Sequence, residues 1–254
     1  MKGKSVLLAL LGFVAISINA YAEPTDITVR VKSKGAKFVG TSMGGALVTI
    51  KNEQTGELLA KGLTLGSTGD TDLIMRTPQE RGAAISDETS AHFTATLDID
   101  RPVYAEITAY GPMAQKQSAN RVSATQWIVP GKDITGGDAF FMELPGLVVD
   151  VRDPAAHTKL SGKSKIDIKA NVTPMCGCPI TPDGLWDSNQ YEVRAIVLRD
   201  NEEVGDFPLD FAGETSQFSG RFSPDKKGVY QAIVYGFNPA NGNTGLDRVT
   251  FMVN

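Results

Sequence analysis

From Ile27 the chain alternates apolar and polar side chains, with Ile27, Val29 and Val31 set against Thr28, Arg30 and Lys32. That period of two is the signature of a strand with one buried face. A second run, Ala46 to Lys51, leads through the turn-forming Asn52-Glu53-Gln54-Thr55-Gly56 into a third, Glu57 to Lys61, and the three together predict a hairpin. Further strands are predicted at His92 to Ile99, Val103 to Tyr110, Thr125 to Val129 and Ala139 to Leu144, each bounded by Gly, Pro, Asp or Asn. Before Gly146, the one stretch with helical character is Thr71 to Ala84. It lacks a sustained 3.6-residue period and contains Pro78, so it is expected to be a long loop.

Leu144-Pro145-Gly146 interrupts two apolar runs and is read as a boundary, after which Leu147 to Val151 opens a fresh strand. The strands predicted beyond it are Leu147 to Val151, Lys165 to Val172, Tyr191 to Arg199, Glu203 to Phe211, Ser216 to Phe222, Gly228 to Asn238 and Asp247 to Val253. Seven strands at this spacing suit a sandwich. The expected architecture is therefore all-β, two consecutive β-sandwich modules spanning residues 23–146 and 147–254.

The start of the chain sets an expected compartment. Lys2 and Lys4 precede an apolar run from Ser5 to Ile18, and Ala20-Tyr21-Ala22 places small residues where a signal peptidase reads them. The run ends at Asn19, too short to cross a bilayer, so residues 1–22 are read as a secretory signal peptide cleaved after Ala22. No transmembrane segment is expected further on, and the destination is the periplasm or the outside of the cell. Across 254 residues, 25 basic side chains oppose 29 acidic ones, and loss of Lys2 and Lys4 takes the formal charge from −4 to −6. That balance offers no cationic surplus for phosphate backbones, so nucleic acid is not an expected partner. An unidentified protein or small ligand of the cell envelope is.

Two segments carry family likenesses. Gly45-Ala46-Leu47-Val48-Thr49-Ile50, followed by Thr55-Gly56 and Gly69-Asp70-Thr71, resembles the carboxypeptidase-regulatory-like or transthyretin-like sandwich over about 30 residues. It departs from that pattern in lacking the usual Gly-aromatic continuation, with Leu65 to Ile85 standing as an insertion. The segment from Gly228 to Gly236, the Asn241-Gly242-Asn243-Thr244-Gly245 turn and the run Val249 to Val253 resemble the last two strands of bacterial immunoglobulin-like domains. This likeness implies that Tyr230 is a corner tyrosine, its ring buried and its hydroxyl bonded to backbone.

The pointed chemistry is Met175-Cys176-Gly177-Cys178-Pro179, which holds the two cysteines of the chain. An exported protein normally joins such a pair. Closing a three-residue ring contributes roughly 1.6 kcal/mol by chain entropy, against several kcal/mol typical of strained bridges, so stability alone does not explain the spacing. Four readings stand side by side: an oxidised bridge that sets local conformation, a soft-metal site, a labile redox couple, and an intermolecular disulfide. In an extended segment residues i and i+2 share a face, so Cys176 and Cys178 with the Met175 thioether offer soft donors suited to Cu(I). Zinc would need harder ligands as well, and His157 lies in the same predicted module.

Other constellations are incomplete. Asp98 and Asp100 share the side of a strand end where a calcium ion could sit, but no calcium-loop spacing accompanies them. Thr41-Ser42-Met43-Gly44-Gly45 lacks the spaced glycines of a nucleophile elbow. His92 is read as facing solvent, Trp186 as covering the second core or steadying the cysteine loop, and Trp127, Trp186 and Tyr191 as candidates to line a ligand surface. The expected function is a non-enzymatic exported binding or accessory protein that holds Cu(I) through Cys176, Cys178, Met175 and His157. The alternatives are a thiol-disulfide redox protein using Cys176 and Cys178, and a structural or adhesion module in which the cysteines are incidental.

Overall fold

A computed structural model describes residues 22–161 and 165–254, so the predicted signal sequence, residues 1–21 of it, lies outside the described residues. The chain is all-β. The first strands are β1 (Glu23–Ser33), β2 (Leu47–Asn52), β3 (Leu58–Leu63), β4 (Phe93–Ile99), β5 (Val103–Gly111), β6 (Asn120–Ile128) and β7 (Phe140–Leu144). They form a three-stranded sheet in the order β4-β1-β7 and a four-stranded sheet in the order β3-β2-β5-β6. β1 runs antiparallel to β4 and parallel to β7.

The alternation seen from Ile27 onward explains why these sheets stack. Ile27, Val29 and Val31 of β1, Val48 and Ile50 of β2, and Ala105, Ile107 and Ala109 of β5 are all fully buried in one apolar cluster. The polar residues between them lie on the opposite face, where Thr28 is buried with its hydroxyl 2.8 Å from that of Thr94. The hairpin between β2 and β3 closes because the Asn52 side chain accepts from the Gln54 and Thr55 amides at 2.9 and 3.2 Å, while Gly56 takes a left-handed φ of 72°.

The remaining strands are β8 (Leu147–Asp153), β9 (Lys159–Leu160), β10 (Ile166–Pro174), β11 (Glu192–Arg199), β12 (Glu202–Pro208), β13 (Asp210–Phe211), β14 (Gln217–Phe222), β15 (Gly228–Asn238) and β16 (Asn243–Val253). They build a sheet ordered β13-β14-β10-β8 and another ordered β12-β11-β15-β16-β9. Between them lies a second core, in which the Tyr230 ring stacks on Phe251 and meets Phe222 edge to face, with centroids 5.6 Å apart in each pair. Tyr230 is fully buried and its hydroxyl donates to the Lys226 carbonyl, the corner arrangement that the immunoglobulin likeness implies.

The structure departs from the sequence expectations in several places, among them the start of β16 at Asn243, four residues ahead of the predicted Asp247. Residues Thr71–Met75 form a short helix, α1, because Asp70 caps the Leu73 amide at 2.7 Å and Ile74 packs on Phe38 and Ala91. A five-residue helix is too brief to display a period. β6 starts five residues earlier than predicted, in polar sequence exposed on both faces, where alternation carries no signal. The run Glu203 to Phe211 divides into β12 and β13 around Leu209, whose amide donates to the Val193 carbonyl at 2.8 Å. β9, only two residues long and parallel to β16, is too short to register as a pattern at all.

Replacing Tyr230 with Phe keeps the ring stack and removes one buried hydroxyl bond. The expected cost is about 1 kcal/mol in denaturant unfolding, with the folded far-ultraviolet signal unchanged.

Candidate functional site

β10 ends at Pro174, and the chain then folds back on itself through the cysteine loop. Cys176 and Cys178 are joined to one another. The bend between them is made by Gly177, which takes a φ of 73° while its amide donates to the Pro174 carbonyl at 2.9 Å. The left-handed φ is what favours glycine there; a Cβ would also lie 2.6 Å from the Met43 sulfur, which would have to shift. The bridge is interior: Cys176 is 1% exposed and Cys178 3%, and both belong to the second apolar core. Gly177 and Pro179 alone among the neighbouring residues reach solvent.

What surrounds the bridge is the junction between the first and second pairs of sheets. Met175, one residue before Cys176, is fully buried in the first core, and its amide donates to the Ser33 hydroxyl at 3.1 Å. Insertion runs the other way too, since Ala36, in the turn after β1, is buried in the second core. The same turn is held by side chains from the far part of the chain. Trp186 donates its indole N–H to the Gly35 carbonyl at 3.1 Å, and the Asn243 amide donates to the Lys34 carbonyl at 2.9 Å. Asn243 also accepts from the Gly146 amide at 3.0 Å, at the predicted boundary itself. Ser118 completes the seam, its hydroxyl donating to the Val149 carbonyl and accepting from the Val149 amide, each at 3.0 Å. Buried apolar contact with paired polar groups is the build of a domain interior.

The four predicted metal ligands are not brought together. The Met175 side chain enters the first core, Cys176 and Cys178 are bonded to each other in the second, and His157 is exposed in a surface turn where its amide donates to the Thr250 carbonyl. Among the described residues no three His, Cys, Asp or Glu side chains gather as a metal-binding group. A joined pair also presents no thiolate, the form that binds a soft ion. His92 is half-buried with its Nδ1 2.9 Å from the Ser90 carbonyl, not on a fully solvated face. At the strand end, Arg101 pairs with Asp100 at 3.0 Å and its hydrogen bond holds that carboxyl below the ordinary range, while Asp98 is exposed. Ser42 is exposed in a single helical turn. Trp186 covers the second core, and its indole N–H holds the turn after β1 through Gly35 instead of the cysteine loop.

Tyr191 is half-buried against the second core, and desolvation raises its phenol above the usual range, opposed by a hydrogen bond with Asn238. Trp127 is 54% exposed on the outer face of the β3-β2-β5-β6 sheet, its ring 5.0 Å from that of Tyr104. The Tyr104 hydroxyl lies 2.7 Å from that of Thr125. At the other end of the same two strands, Arg121 sits over the Tyr110 ring at 5.6 Å. Sequence reasoning missed Ser33, Gly35, Ala36, Met43 and Asn243 as partners of the cysteine region. Contacts between positions as far apart as Ser33 and Met175 leave no trace in local periodicity.

No family model matches the chain, and no curated protein matches it. Among solved structures, an engineered protein is similar over 50% of this chain, at 16% identity and a TM-score of 0.33, with 24% of that protein covered. The fibronectin(III)-like modules of Clostridium thermocellum CbhA align over 94% of this chain and 92% of theirs, at 13% identity and a TM-score of 0.29. The titin domains Z1Z2, solved in complex with telethonin, align over 91% and 88%, at 11% identity and a TM-score of 0.24. At such scores these likenesses carry no inference about activity.

The junction generates a quantitative expectation. Met175→Ala should cost about 2–5 kcal/mol in denaturant unfolding, whereas Met175→Leu, close in volume, should cost less than about 1.5. Equal effects of the two would show that Met175 does not fill the first core.

Proposed function

We propose that this chain is a non-enzymatic binding or structural module of the cell envelope, in which two β-sandwiches, residues 23–146 and 147–254, are clamped into one stiff body. The single observation that carries this reading is the reciprocal insertion at the junction, Met175 into the first core and Ala36 into the second. A seam built in that way resists the hinge opening by which two-domain proteins commonly admit and enclose substrates. It suits a protein that presents its outer surfaces at a fixed distance and orientation. In this reading the cysteine bridge sets the bend that delivers Met175, and residues 1–22 direct the chain to the periplasm or beyond, where such a bridge persists. The two partial resemblances, to carboxypeptidase-regulatory-like and immunoglobulin-like sandwiches, agree with a module of this kind.

The redox reading uses the same sulfurs and is separated from this one by a single property. Burial of both cysteines favours a bridge that reducing agents reach slowly. Cu(I) binding belongs to the reduced chain alone, and the placement of Met175 and His157 lends it no support.

The test is made on chain exported from its own host. Intact mass should match a product beginning at Glu23, and native protein should resist alkylation until it is both denatured and reduced. The reduction potential of the pair should fall below about −300 mV, the range of structural bridges. A potential between about −120 and −270 mV, where exchange proteins operate, would replace the clamp with the redox reading.

A further inference from the structure

Among the described residues, every sheet edge except one carries a feature that discourages pairing with another chain. β12 contains Glu202, Glu203, Asp206 and Pro208, and its ladder with β11 is broken by a bulge. β9 and β13 are two residues long. β3 and β8 have irregular ladders, and β7 is short and carries Glu143. On the β3 and β4 side of the first sandwich, bridges from Leu65 to His92 and from Ser67 to Ser90 tie the two sheets together. Charges, bulges and brevity are the ordinary means of blunting an edge.

β6 has none of these. It is nine residues long, pairs with β5 from Ile128 to Asn120 without a register shift, and has no second partner in its own sheet, although it lies beside β7 and its Asn120 side chain donates to the Pro145 carbonyl at 2.8 Å. It contains neither Pro nor Gly, its sole charge is Arg121, and seven of its nine residues are exposed. A strand of that length offers about 30 Å of unpaired backbone.

We infer that β6 pairs antiparallel with β6 of a second copy of this chain, joining two four-stranded sheets into one continuous sheet about a two-fold axis at Ala124. The strand's own sequence selects the partner and the register. Arg121, Ser123, Thr125 and Trp127 face outward, as do their β5 neighbours Tyr110, Thr108, Glu106 and Tyr104. Pairing centred on Ala124 is the register that matches all nine residues, keeps outer faces together and sets Arg121 opposite Trp127 of the second copy. It does so twice, by symmetry. Each resulting row would read Tyr104, Trp127, Arg121, Tyr110 across the seam, a cation between aromatic rings. Ser123 meets Thr125, hydroxyl to hydroxyl, and Ala124 meets Ala124 with no bulk to separate the backbones. Moving the register by two residues in either direction costs both Arg–Trp pairs. An isologous contact of this kind closes as a dimer and leaves no further edge of the same type.

The experiment is sedimentation equilibrium of the full exported chain and three variant samples. Wild type should form a concentration-dependent dimer. Ala124→Glu and Ala124→Lys, at an exposed edge position beside Ile107, should each be monomeric because like charges meet at the axis, with a melting curve of each variant showing that it remains folded. Equal amounts of the two variants, mixed, should recover the dimer as a Glu–Lys pair. A monomeric wild type, a dimer indifferent to either charge, or a mixture that stays monomeric would each overturn the inference. None of these outcomes bears on the junction or on the potential of the cysteine pair, so this proposal and the clamp fail separately.

Discussion

The exchange of side chains across the seam between the two sheet pairs is the constraint on which the rest depends. Met175 fills a place in a core built by β1, β2 and β5, and Ala36 fills one in a core built by β10, β11 and β15. Neither pair of sheets is complete without a residue from the other. Polar groups buried there are partnered across the seam: Ser33 with Met175, Asn243 with Lys34 and Gly146, Ser118 with Val149. Leaving any one of them unpaired would cost about 1–3 kcal/mol.

Within that frame the cysteine pair acquires a local meaning. The chain leaves β10 inside one core, crosses to the other at Met175, and must return at once to bring Ile180 back into the second core. A bend this abrupt needs a left-handed residue, supplied by Gly177, and a cross-link over it keeps the unfolded chain from sampling wider loops. The sulfurs therefore sit where a packing element sits, not at a rim open to ions or thiols.

Much of the architecture was legible in the chain itself. The alternation of Ile27, Val29 and Val31 marks β1 and the Asn52 to Gly56 turn marks the hairpin, while the immunoglobulin likeness of Gly228 to Gly236 implies the Tyr230 corner whose hydroxyl donates to Lys226. These are local features, and local pattern reports them. β6 was legible only at its Trp127 end, because a strand exposed on both faces has no buried face to alternate against. The junction was not legible at all. Cys176 and Cys178 do lie on one side, as an extended segment implies, but that side is the interior of the second core, and Met175, one residue earlier, alternates to the other side and enters the first core. The proximity that counts, Ser33 to Met175 and Gly35 to Trp186, spans more than half the chain and is set by topology.

Differential scanning calorimetry of the oxidised chain tests the central claim most directly. If the seam makes one body of the two sheet pairs, unfolding is a single transition whose calorimetric and van 't Hoff enthalpies agree. Two resolved transitions, or a calorimetric enthalpy well in excess of the van 't Hoff value, would mean that each pair of sheets melts without the other and that no clamp exists.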